Sequence, residues 1–168
     1  LSLPVADRAM LHADNAYNLP NIRIESHRLK TNIQSATAYR GFGGPQGMLG
    51  MERIVDHIAH TLGVDPAIVR QKNFYGSGGS STGKMKPQTT PYGQEVTDSI
   101  VAELTDTLMS SSDYFNRRAT VDEWNSTNQI IKRGIAMTPV KFGISFTLTH
   151  LNQAGALVHV YQDGSIHL

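Results

Sequence analysis

The sequence predicts an α+β fold, helices followed by mostly antiparallel strands, and three observations carry that prediction. Met48, Met51, Ile54, Val55, Ile58, Ala59 and Leu62 recur at intervals of three and four, which is the apolar stripe of an amphipathic helix. Val96, Ile100, Val101, Leu104 and Leu108 repeat that spacing further along. The C-terminal stretch changes to strand composition, with 130–138, 143–149 and 154–161 rich in β-branched and aromatic residues.

Taken in order, Pro4 suits the first turn of a short helix over Pro4 to His12, and Asn18-Leu19-Pro20-Asn21 breaks the pattern after it. Residues 22–29 alternate apolar and polar side chains and read as a half-buried strand. The long helix starts near Pro45, and Gly63 is placed to close it as the residue after the C-cap. Asp65-Pro66 has the pattern of an N-cap with proline at the first helical position, opening a helix to about Asn73. Residues 76–93 read as a flexible surface loop. Gly78, Gly83 and Lys84 have the spacing of a phosphate-binding loop, but Met85 stands where Ser or Thr would hold magnesium, and Pro87 forbids a useful helix. Helices are expected from Gln94 to Ser110 and over 113–126, with Trp124 as a core anchor. Asp163-Gly164 carries the signal of a two-residue hairpin turn. The chain thus divides into 1–75, 76–93 and 94–168.

Composition narrows the function classes. The 168 residues are enough for one ordinary domain, and 39% hydrophobic with 17% charged residues suits a globular chain. A net charge of +1 with no basic run longer than two argues against a dedicated nucleic-acid binder. The absence of cysteine excludes disulfides, thiolate metal sites and iron–sulfur clusters within this chain. No membrane span or signal peptide is visible, so the cytoplasm is the expected location. The lack of an initial methionine and an end inside strand-like sequence read as a segment of a longer polypeptide. His57 and His60 lie three apart on a helix without a matching pair, and no serine sits in a nucleophile elbow.

The most information-dense run is Thr37-Ala38-Tyr39-Arg40-Gly41-Phe42-Gly43-Gly44-Pro45-Gln46-Gly47. Glycines let backbone approach a ligand and adopt positive φ, and a loop opening a helix can aim N–H groups at a polar or anionic partner. Locally, the same run also reads as a simple turn into a helix. Arg8 by itself reads as a solvated arginine, Phe146 as a core side chain and Thr147 as sheet filler.

Residues 37–46 closely resemble the signature of the molybdenum-binding part of xanthine dehydrogenases and xanthine oxidases. Lys141-Phe142-Gly143-Ile144-Ser145-Phe146-Thr147, followed by Leu151-Asn152-Gln153-Ala154-Gly155-Ala156-Leu157, resembles a second segment of that family, and Arg8-Ala9-Met10-Leu11-His12-Ala13-Asp14-Asn15 a third. The likeness looks closest to bacterial enzymes that carry this part on a separate large subunit.

The resemblance implies part of the molybdenum-cofactor-binding domains of a molybdenum hydroxylase oxidising hypoxanthine and xanthine to urate. It implies that Phe42 and Phe146 sandwich the purine, that Arg8 faces its oxygenated edge and stabilises the transition state, and that Thr147 contacts substrate. Arg40 would place its backbone amide against molybdenum, with Gly41 allowing the approach. The metal would be held by molybdopterin, so the lack of cysteine is no obstacle. The family's iron–sulfur [2Fe-2S] clusters and FAD belong to other segments or subunits, with NAD as the expected acceptor and an oligomer as the expected assembly. The family's general-base glutamate has no counterpart in this chain, which implies that the 168 residues alone neither turn over xanthine nor retain the cofactor. An aldehyde oxidase of the same superfamily is the nearest alternative. A non-catalytic interaction segment, in which the loop and the phenylalanines serve folding only, is the alternative of another class.

Overall fold

The computed structural model describes residues 2–34, 37–76, 88–146 and 149–168. Its elements are α1 (Ser2–Leu11), α2 (Gly44–Leu62), α3 (Pro66–Asn73), β1 (Gln88–Thr89), β2 (Glu95–Val96), α4 (Val101–Ser111), α5 (Tyr114–Thr127), a 3₁₀ turn (Thr149–Leu151), β3 (His159–Val160) and β4 (Ile166–His167).

Local chemistry sets the ends of α2 and α3. Pro45 lies in the first turn of α2, and Gly63 ends it at φ 65. The Val64 N–H reaches back to the Ala59 carbonyl at 3.0 Å, closing the last turn. Asp65 then caps α3, its Oδ1 accepting from the Ala67 N–H at 2.7 Å. α2 buries Met48, Met51, Glu52, Val55 and Ala59. Ile54, Ile58 and Leu62, the other half of the stripe read from the sequence, are exposed.

α1 lies on α2 at a glycine contact. A Cβ on Gly43 would sit 2.0 Å from the Val5 carbonyl oxygen, and one on Gly47 would sit 2.2 Å from that of Ala9. Two glycines four apart therefore let the two backbones touch. Below this contact, Ala16, Tyr17, Met51, Val55 and Phe74 form the main core. The Tyr17 and Phe74 rings stack at 5.9 Å. Their backbones form an isolated antiparallel bridge, flanked by Asn18 N–H to Asn73 carbonyl at 2.8 Å and Tyr75 N–H to Ala16 carbonyl at 3.0 Å. Glu52 is buried among donors: its Oε1 accepts from Asn15 and Tyr17, and its Oε2 from Arg70 at 2.7 Å. A second cluster joins Ala67, Met109 and Tyr114.

Several expectations are corrected. Residues 22–29 form no strand; they run along the surface with Arg23 and Glu25 paired to each other. α4 begins at Val101 rather than Gln94, because Thr90-Pro91-Tyr92-Gly93 turns the chain back and pairs β2 with β1. Proline at the second turn position and Gly93 at φ 88 are what that turn requires. Residues 88–93 accordingly belong to a hairpin rather than a flexible loop, while 77–87, which hold the phosphate-loop-like spacing, lie outside the described residues. The Asp163-Gly164 turn is a three-residue loop, not two. The Gly164 N–H donates to the Tyr161 carbonyl at 3.0 Å, and the Tyr161 N–H to that of Ser165 at 2.9 Å. Within 154–161 only His159–Val160 pairs, and 130–138 and the described part of 143–149 form no strand. Ile130 and Ile144 are each 93% exposed, so the apolar pattern there has no covering partner among the described residues. Trp124 is half-buried on the flank of α5 rather than in a core. Its indole N–H donates to the Ile131 carbonyl at 3.3 Å, and the Arg133 guanidinium lies 3.5 Å from the ring centre. No described helix is long and apolar enough to cross a membrane.

Candidate functional site

Arg8 is 4% exposed, against the solvated arginine its local sequence suggests. A guanidinium cannot shed its charge, so a buried one needs acceptors. Nη1 donates to the Gly143 carbonyl at 2.7 Å and Nη2 to that of Ser145. The Nε–H is buried without an acceptor among the described residues. Phe142 adds its ring face, 5.5 Å from the guanidinium carbon.

The rest of the 8–15 run fastens 139–145 in the same way. The Gly143 N–H donates to His12 Nε2 at 3.0 Å, and the Lys141 N–H to Asn15 Oδ1 at 3.1 Å. Asn15 Nδ2 donates to the Pro139 carbonyl at 2.9 Å. Lys141 Nζ forms an ion pair with the buried Asp14 at 2.6 Å, and the Tyr75 hydroxyl donates to the same carboxylate oxygen at 2.8 Å. Burial, reinforced by the Asp14 carboxylate, pushes the Tyr75 phenol well above the usual tyrosine range. Sequence reasoning misses His12, Asn15 and Lys141 as site residues. The signal that could have found them is their position inside the two matched segments.

Between these segments lies the glycine loop. Gly41, Phe42 and Gly43 hold φ of 87, 51 and 102, three successive left-handed residues. Phe42 alone among them has a Cβ, and such a conformation costs about 1–3 kcal/mol. It is held by its own N–H to the Tyr39 carbonyl at 2.7 Å and by Gly44 N–H to Gly41 carbonyl at 3.0 Å. The Phe42 ring meets Phe146 at 5.4 Å between centroids with planes tilted 44°. Phe146 is fixed from the other side by Asn152, whose Oδ1 accepts from its N–H at 2.6 Å and whose Nδ2 donates to its carbonyl at 2.9 Å.

Arg8, His12, Phe142 and Phe146 line a cleft of about 510 Å³ whose other walls include Tyr92 and Val96. Phe42 borders Phe146 outside that lining, and Arg40 and Gly41 are not part of it. Thr147 lies outside the described residues.

The loop's glycines pack against this chain's own Pro45 and Phe142 side chains. Arg40 is exposed, and its amide donates to no acceptor among the described residues. A Cβ on Gly41 would lie 2.5 Å from Pro45 Cγ, and one on Gly44 2.6 Å from Phe142 Cε2, so both positions are closed to side chains. Among the described residues no group of three His, Asp or Glu side chains is placed to hold a metal ion directly. An amide N–H with no acceptor among the described residues is a donor that a polar cofactor edge could use.

Two family models match the chain, both described as molybdopterin cofactor-binding domain, over residues 1–74 and 107–168. The chain belongs to the molybdopterin cofactor-binding family. Each of the three converging segments falls within one of the two matches. The chain is 44% identical over 99% of its length to a xanthine dehydrogenase from Dictyostelium discoideum, and 45% identical over its full length to a xanthine dehydrogenase/oxidase from Gallus gallus. It spans 12% of the length of either relative. Among solved structures it resembles an aldehyde oxidoreductase from Desulfovibrio gigas, with a TM-score of 0.54 and 29% identity over 76% of this chain and 12% of that one. The fold of this family member is therefore that of a piece of a molybdenum-cofactor-binding region, helices with short antiparallel strands.

Proposed function

We propose that this chain is the substrate-facing segment of a molybdenum hydroxylase that oxidises hypoxanthine and xanthine to urate. The observation that carries the reading is the convergence of three distant segments. Arg8 of α1 binds the backbone of 143–145, and Phe146 at the end of that segment meets Phe42. Phe42 sits on the loop whose Arg40 amide has no acceptor among the described residues. The high identity to xanthine dehydrogenases supports it.

Bound molybdopterin supplies two-electron oxidation with the oxygen drawn from water. Arg8 holds a permanent positive charge at the cleft wall, and its two carbonyl contacts leave further N–H donors for an oxygenated heterocycle. Negative charge that builds on the ring during oxidation is then met by a fixed guanidinium, which favours the transition state over the ground state. Phe42 and Phe146 offer a half-buried aromatic pair to a flat π-system. The Arg40 amide and the bare Gly41 backbone would hold the edge of the cofactor. Electrons would leave through iron–sulfur and FAD groups on other segments or subunits to NAD, within an oligomeric cytoplasmic enzyme. The isolated 168 residues would show no xanthine-dependent dye reduction.

An aldehyde substrate is the second reading, favoured by the likeness to an aldehyde oxidoreductase. Arg8 separates the two, because an aldehyde offers no second oxygen for it. The test is Arg8→Met in the parent enzyme, with purine and aldehyde turnover measured side by side.

A further inference from the structure

We propose that His12 is a positioning residue for the substrate-facing guanidinium, holding the Gly143 peptide in the orientation that aims Arg8. This inference rests on the purine reading above and deepens it. His12 follows α1 one helical turn beyond Arg8, and the two side chains take both backbone polar groups of Gly143. The Gly143 N–H donates to His12 Nε2 at 3.0 Å, and the Gly143 carbonyl accepts from Arg8 Nη1 at 2.7 Å. The circuit closes through His12 Nδ1, 2.9 Å from the carbonyl oxygen of Arg8 itself.

Direction fixes the imidazole. A carbonyl only accepts and an amide N–H only donates, so Nδ1 carries the proton and Nε2 is bare. The ring is 7% exposed and packs on Phe142 at 4.9 Å between centroids, which holds the imidazole in this orientation. Gly143 itself is exposed, so with Nε2 removed its N–H loses its protein acceptor and the peptide is free to turn toward water. The Gly143 carbonyl turns with it and takes away one of the two acceptors that hold Arg8. Phe146, three residues on, shares that segment. A substrate that needs the Arg8 charge should suffer, while one that ignores it should be spared.

The experiment compares His12→Phe, His12→Gln and Arg8→Met in the full-length parent enzyme, normalised to bound molybdenum. His12→Phe keeps the ring packing and loses both hydrogen bonds, whereas the Gln side chain can reach Gly143 with its amide oxygen. The expected result for His12→Phe is a roughly tenfold to hundredfold fall in kcat/KM for xanthine. The aldehyde kcat/KM should stay within about threefold, and His12→Gln should recover most of the purine activity. Equilibrium binding of a non-reactive purine should weaken in step. If His12→Phe does not fold, His12→Asn replaces it, keeping a donor near the Arg8 carbonyl but falling short of Gly143. Equal losses for both substrate classes, or no rescue by Gln, while Arg8→Met remains purine-selective, would overturn this inference alone. Equal losses in Arg8→Met would overturn the purine reading and this inference with it.

Discussion

Phe42 and Phe146, from opposite ends of the chain, meet with ring centroids 5.4 Å apart and planes tilted by 44°. Two rings that hold a third flat ring between them need about 7 Å, twice the 3.5 Å contact distance of carbon atoms. The pair therefore stands closed, with the two tilted rings in contact and no room for a third between them. A structure of the parent enzyme with a bound purine should show the rings about 7 Å apart and closer to parallel, with the Asn152 grip on the Phe146 backbone retained. A bound purine lying elsewhere in the cleft, with the two rings still in contact, would contradict their role as a sandwich.

Gly43 joins the loop to the helix contact. Its φ of 102 disfavours any side chain, and a Cβ there would lie 2.0 Å from the Val5 carbonyl oxygen. Gly43→Ala should destabilise by about 3 kcal/mol through strain and the forced separation of α1 from α2. Gly50, in the same helix, has open space where a methyl would stand, with nothing within 4 Å. It is the control: Gly50→Ala should be neutral or stabilising by up to about 1 kcal/mol. Comparable losses for both in thermal denaturation would count against the glycine contact.

Glu52 is the hub under the core, accepting from Asn15, Tyr17 and Arg70. Arg70 is 1% exposed, and its remaining partner, Asp56, is far more open to solvent. Glu52→Ala should therefore cost about 3–5 kcal/mol, the scale of a buried charge left short of its partner. A melting temperature within a degree or so of the unaltered enzyme would show that the network relaxes without it.

Alkaline pH offers a check on the second cluster. Burial, with the Asp65 carboxylate next to its hydroxyl, raises the Tyr114 phenol from 10.0 to about 12. Burial also raises Tyr17 and Tyr75, next to Glu52 and Asp14 respectively. A raised folded-state value means the stabilisation is complete below the ordinary tyrosine range. It is lost as pH climbs from 10 through 12, where the unfolded chain releases protons that the folded chain keeps. Melting temperatures should fall steeply over that window and less steeply in Tyr114→Phe. An unchanged alkaline slope in that variant would contradict the assignment.

What the sequence makes legible is local. Gly63 as a helix stop and Asp65-Pro66 as a helix start stand as read, because each depends on a few adjacent dihedrals and one cap bond. The helical spacing of Val96 and Ile100 misleads, because the Pro91-Tyr92-Gly93 turn folds Glu95–Val96 back onto Gln88–Thr89. The strands expected over 130–138 and over the described part of 143–149 are absent for a different reason. Strand-like composition says that a face wants cover, but it does not name the partner. Arg8 reads wrongly in its local sequence because its acceptors are the carbonyls of Gly143 and Ser145, which leave no side-chain trace there. Only the resemblance of three separated segments to one family points to their meeting.

The central claim is that Arg8 faces an oxygenated purine edge, and the substrate split on Arg8→Met in the parent enzyme tests it most directly. Met keeps the apolar stem and removes the charge. Purine kcat/KM should fall by about 3 kcal/mol, some two orders of magnitude, the scale of one lost transition-state contact, while aldehyde turnover persists. Equal losses for xanthine and an aldehyde, at full molybdenum occupancy, would contradict the account.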